Sequence, residues 1–123
     1  MDDLQSLFDS LKALLQKYTP PLVPKANSAA TYDLWSIHPV EIQGRHKKEV
    51  YFAGLVIRKS YVGFYFMPVY SEPKMKAALA PELMQLLKGK SCFHIKTLTP
   101  ELSGQIEAAL QTGFARYKEL GWV

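Results

Sequence analysis

Leu4, Leu7, Phe8, Leu11, Leu14, Leu15 and Tyr18 recur at steps of three and four residues, a spacing that gathers all seven on one face of a helix. Asp2 and Asp3 stand where a side-chain oxygen can cap the free N–H groups of the first turn and where negative charge favours the positive helix end. Thr19-Pro20-Pro21 stops the pattern. Proline lacks the donor N–H and restricts the residue before it, which predicts extended chain from Thr19 to Pro24 and a linker to about Ala30.

From Thr31 to Tyr70 the chain changes to β-branched and aromatic residues separated by short polar breaks, the pattern of strands. The expected strands are Thr31 to Ser36, Val40 to Gln43, Glu49 to Arg58 and Tyr61 to Val69, with Lys59-Ser60 turning the last pair. An alanine- and leucine-rich segment follows, and Pro81 opens a short helix expected to reach Lys88, with Gly89 as its left-handed cap. Cys92 to Lys96 alternates as a final strand. Thr99-Pro100 then supplies an N-cap and a first-turn proline for a last helix whose buried stripe is Leu102, Ile106, Ala109, Leu110, Phe114 and Tyr117, ended by Gly121. The order predicts one α+β domain over residues 1–123, an antiparallel β-sheet meander packed with N- and C-terminal helices.

Composition agrees with a conventional core. In 123 residues, 48% are hydrophobic and 21% charged, enough apolar surface to fold without a metal or disulfide staple. No apolar run approaches the roughly 18 residues of a membrane span, so no membrane partner is expected. An acidic start, Met1-Asp2-Asp3, and a single cysteine predict a cytoplasmic protein. The net charge of +4 favours solubility and loose attraction to anions. Its lysines and arginines are dispersed, however, and give no signature of a specific nucleic-acid partner. The densest group, Arg45-His46-Lys47-Lys48 beside Gly44, reads as the solvated tip of a hairpin.

Pairing across Lys59-Ser60 would set Ile57 opposite Val62, Leu55 opposite Phe64 and Ala53 opposite Phe66, a core face. The other face would carry Phe52, Gly54 and Val56 against Gly63, Tyr65 and Met67, dented where two glycines lack side chains. Glycine inside a strand marks close approach by another backbone, a ring or a ligand, and this recess is the candidate binding site. Cys92 and His94, two apart in a strand, share a face and could serve as nucleophile and base, although the sequence names no third, orienting residue. His38, His46 and His94 show no metal-ligand spacing. Gly89-Lys90-Ser91 lacks the first glycine of a phosphate loop, Met84 standing in its place, and no carboxylates pair by spacing.

Val50-Tyr51-Phe52-Ala53-Gly54-Leu55, Tyr61-Val62-Gly63-Phe64-Tyr65-Phe66-Met67-Pro68 and Leu87-Lys88-Gly89-Lys90-Ser91-Cys92-Phe93 together resemble the YdhG-like family of small bacterial domains of unknown function. The resemblance spans nearly the whole chain and rests on structural motifs. It implies a YdhG-like or frataxin-like α+β fold. Some members are described as frataxin-like iron chaperones, which implies iron held by surface acidic groups, here Asp2, Asp3 and Asp9. Iron favours carboxylate oxygens, whereas this chain is basic, and the family's glycine-containing approach to a proline after the first strand reads Ser36-Ile37-His38-Pro39. The first expectation is therefore a noncatalytic binding or interaction module without a cofactor, acting through the Gly54 and Gly63 face on a protein, a small ligand or a second copy of itself. The iron chaperone is the alternative, and a Cys92/His94 enzyme the third.

Overall fold

A computed structural model describes residues 3–42, 44–71 and 73–123. Helix α1 covers Leu4–Gln16, capped by Asp3, whose Oδ1 accepts from the Ser6 amide at 2.6 Å. Its stripe is buried as the spacing predicts, from Leu7 and Phe8 to Leu14 and Leu15. The expected extended linker is absent. The chain instead turns tightly through cis peptide bonds at Thr19–Pro20 and Pro20–Pro21, buries Leu22 and forms strand β1, Val23–Asn27. Pro24 obscures that strand in the sequence. It is accommodated because β1 is an edge strand, where a missing donor costs no central ladder bond.

Strand β2 is Thr31–Ser36, and β3 (Val40–Ile42) pairs with β4 (Arg45–Lys47) in a separate hairpin that turns through Gly44 at φ 78°. Arg45 to Lys47 thus form its returning strand; Gln43, the expected end of the outgoing strand, lies outside the described residues. Strands β5 (Val50–Ile57) and β6 (Val62–Phe66) pair with Ile57 opposite Val62, Leu55 opposite Phe64 and Ala53 opposite Phe66, the register expected from the sequence. Strand β6 does not continue to Val69. Pro68 cannot donate to a ladder, and Met67–Ser71 forms helix α2 instead.

Helices α3 (Pro73–Ala78) and α4 (Pro81–Met84) follow. The expected helix to Lys88 stops early because Leu87–Lys88 leaves it as strand β7, which pairs with Phe93 and Cys92 of β8 (Cys92–Ile95). Gly89, at φ 80°, serves that hairpin turn rather than a helix cap. Helix α5, Pro100–Glu119, begins where predicted, Thr99 Oγ1 accepting from the Leu102 amide at 3.1 Å.

The product is an α+β fold: a six-stranded antiparallel sheet in the order β1-β2-β5-β6-β8-β7, with α1 and α5 packed on it. One core joins the helices to the inward residues Tyr32, Leu34, Ala53, Leu55, Val62, Phe64, Phe66, Phe93 and Ile95. Among the described residues no helix is long and apolar enough to cross a membrane.

A β-bulge decides which residues face that core. Leu34 pairs with Ala53, but Trp35 pairs with Tyr51, so Phe52 is an extra residue on β5. A bulge turns two successive side chains to one side. Phe52 therefore points inward beside Ala53, fully buried, its ring 5.2 Å from Tyr117, 5.8 Å from Phe66 and 6.2 Å from both Tyr18 and Phe114. Tyr51 turns outward.

Candidate functional site

Strand alternation leaves one set of residues on the side of the sheet away from the helices. The register aligns Asp33, Gly54, Tyr65, Cys92 and Lys88 in one row across β2, β5, β6, β8 and β7, with Thr31, Val56, Gly63 and His94 in the next. Trp35 and Tyr51 form a third short row. Trp35, Tyr51, Val56, Tyr65, Cys92 and His94 are each half-buried, and none of them belongs to the core cluster or packs against it.

The candidate recess is thereby redrawn. Gly54, Val56, Gly63 and Tyr65 lie on this outer face as expected. Phe52 does not, because the bulge carries it into the core, and Met67 has left the strand to begin α2. The dents are filled from within. A methyl group on Gly54 would overlap Tyr51 Oη and Asp33 Oδ1 and lie 3.2 Å from the Tyr32 carbonyl oxygen, while one on Gly63 would meet Tyr65 Cε2 at 3.4 Å and Cys92 Sγ at 3.6 Å. Aromatic side chains covering glycines in neighbouring strands restore the packing that glycine forfeits. The face is level and aromatic rather than hollow.

Polar groups are threaded through these rings. Tyr51 and Trp35 pack at 5.1 Å and 60°, and Lys25 Nζ sits 4.8 Å above the Trp35 ring while pairing with Glu49. Arg58 Nη2 donates to Tyr65 Oη at 3.1 Å. Burial, reinforced by the negative charge of Asp33, pushes the Tyr51 phenol far above its ordinary range, so its hydroxyl remains a donor at any physiological pH. Burial also raises the Asp33 carboxyl.

Cys92 and His94 share this face as predicted, but their surroundings differ. The His94 ring stacks on Tyr61 at 3.9 Å and 15°. Burial pushes the Cys92 thiol up, against smaller opposing effects from a Tyr65 hydrogen bond and the Arg58 charge. A raised thiol pKa lowers the thiolate fraction at neutral pH, opposite to the activation a nucleophile needs. Alkylation of Cys92 by iodoacetamide should therefore be slow at pH 7 and still rising at pH values where an ordinary exposed thiol has levelled off. His94→Ala should leave that profile in place. Rapid alkylation below pH 7 that disappears in His94→Ala would establish the pair as an activated dyad.

The carboxylates of the iron reading are spent locally. Asp3 caps α1, and Asp9 Oδ1, six residues further along the exposed surface, accepts from Gln5 Nε2 at 3.1 Å. Asp2 lies outside the described residues. Among the described residues no three His, Cys, Asp or Glu side chains are gathered as a metal site.

Asp33, Trp35 and Arg58 were not singled out by sequence reasoning, yet the alternation of Thr31 to Ser36 already sets Asp33 and Trp35 opposite Tyr32 and Leu34. Tyr51 carried no such signal, since only the bulge turns it outward. Comparison of the chain with protein-family models, with curated proteins and with solved structures finds no match.

Proposed function

We propose that the protein is a noncatalytic binding module whose outer sheet face receives a flat, anionic group, either a small ligand or a side chain of a partner protein. One observation carries the reading: a set of half-buried rings, Trp35, Tyr51, Tyr65 and the Tyr61–His94 stack, spread over three register rows, lies outside the core on the face opposite the helices. Rings of this kind offer large contact area at low entropic cost. Arg58, exposed and oriented by Tyr65, gives the face a directed positive group, and Asp33 beneath Tyr51 is turned toward Gly54. The raised thiol of Cys92 and the stacked ring of His94 support binding over covalent chemistry.

Anilinonaphthalene sulfonate, a flat anion, tests the face directly. In a Trp122→Phe chain, leaving Trp35 as the sole indole, titration should quench the emission saturably. Replacing Arg58 and Tyr65 together by alanine should weaken binding by about tenfold. Undiminished affinity in that variant, with the melting transition retained, would take the outer face out of consideration.

A further inference from the structure

The outer sheet face carries more rings than one flat group can occupy. Trp35 on β2 and the Tyr61–His94 stack beside β6 and β8 lie at opposite corners of it, three strand spacings and two register rows apart. At ~4.8 Å between strands and ~3.4 Å per residue, the separation is about 20 Å, beyond the reach of a single ring system. Tyr51 and Tyr65 stand between the corners. Rings set at intervals on a level antiparallel sheet match a succession of unpaired bases, of which such sheets stack two or three. Stacking of this kind tolerates any sequence, because every base has a face to offer.

Charge is distributed to suit a polyanion. From residue 50 to 71 and from 87 to 100, the segments that build β5 to β8, the chain holds five Lys and Arg and no Asp or Glu. Cations dispersed along the sequence are thus gathered by the fold toward one end of the sheet. Arg58 is directed onto the face by Tyr65, and Lys88 ends the register row of Gly54, Tyr65 and Cys92; both are exposed. The acidic residues Glu101, Glu107 and Glu119 belong to α5, in the other layer. Among the rings, the Tyr51 hydroxyl and the Asp33 carboxylate converge above Gly54, where both would overlap a methyl group. A donor and an acceptor side by side match a ribose 2′-hydroxyl, which is both. The carboxylate also turns phosphates away from itself, toward Arg58 and Lys88.

Building on the binding role proposed for this face, we infer that it receives single-stranded RNA without regard to sequence. Bases stack on Trp35, Tyr65 and Tyr61, the backbone follows Arg58 and Lys88, and a ribose lies at Tyr51 and Asp33.

Fluorescence anisotropy of a labelled oligouridylate about twelve nucleotides long, titrated with the full chain, tests each part. The single strand should bind about tenfold or more tightly than its duplex with the complementary strand, whose bases are not free to stack, and about 3- to 10-fold more tightly than the matching deoxy strand, the worth of one hydrogen bond. Trp35→Leu and Tyr61→Leu, at opposite corners, should each weaken binding by about fivefold or more with the salt dependence unchanged. Arg58→Gln combined with Lys88→Gln should instead flatten the slope of log affinity against log salt by about 1.4. Tyr51→Phe should erase the preference for RNA over DNA. Thermal melts of each variant separate loss of binding from loss of fold. Equal affinity for single strand and duplex, polyphosphate competing as well as RNA per phosphate, or undiminished binding in folded Trp35→Leu and Tyr61→Leu chains would each overturn the assignment, and equal affinity for the deoxy strand would overturn the choice of RNA. A chain that binds anilinonaphthalene sulfonate but no RNA would refute the nucleic-acid ligand and leave the face a binding surface; loss of both would remove the face itself.

Discussion

Phe52→Ala should lower the stability of the fold by about 3–5 kcal/mol, the cost of emptying a large aromatic site in a closed core. The ring is fully buried and touches Tyr18 in the turn that follows helix α1, strand β6 at Phe66 and helix α5 at Phe114 and Tyr117. Its removal leaves a void at the junction of both long helices with the sheet, where none of the three elements can move in without losing contacts elsewhere. Urea denaturation should show a lower midpoint with a nearly unchanged slope. Strict alternation would place Phe52 on the outer face beside Gly54, and there truncation would cost no more than about 1 kcal/mol, since the face lies outside the core. The measured loss therefore decides directly whether β5 is bulged.

That residue also shows where the sequence ceased to be informative. Both long helices were legible because their apolar positions repeat over several turns and their N-caps, Asp3 and Thr99, are explicit. The pairing of β5 with β6 was legible because a short connection fixes register. A bulge leaves no mark in the alternation of an apolar strand such as Val50–Ile57, where either phase places a hydrophobic side chain inward. The dented face was therefore half right: Gly54, Val56, Gly63 and Tyr65 share it, but Tyr51 takes the place assigned to Phe52, and its hydroxyl occupies the space that Gly54 leaves. β1 and β7 were missed for a different reason. Both are edge strands, short and carrying proline or lysine, and edges are built from residues that discourage further pairing.

The cavity between α3 and α5, walled by Met75, Ala78, Gly104 and Ala108 among others, could not be read from periodicity, because it exists only where two elements far apart in the chain meet.

The two glycines of α5 should respond to the same substitution with opposite signs. Alanine at Gly104 has nothing within 4 Å of its methyl group and lies on an exposed part of the helix, so it should stabilise the protein by about 1 kcal/mol, through lower unfolded-state entropy and better helix propensity. Alanine at Gly113 gains the same propensity. Its methyl group, however, would lie 2.7 Å from Phe66 Cζ and 2.9 Å from Pro68 Cγ. Neither can yield cheaply: Phe66 is fully buried against Phe52 and Phe64, and Pro68 is fixed in the first turn of α2. Overpacking of this kind costs about 1–3 kcal/mol, enough to cancel the propensity gain and leave Gly113→Ala the less stable chain. Parallel urea titrations should place the Gly104→Ala midpoint above that of the parent and the Gly113→Ala midpoint below it. A Gly113→Ala chain as stable as Gly104→Ala would mean that α5 stands further from β6 and α2 than the packing of Phe66 and Pro68 requires.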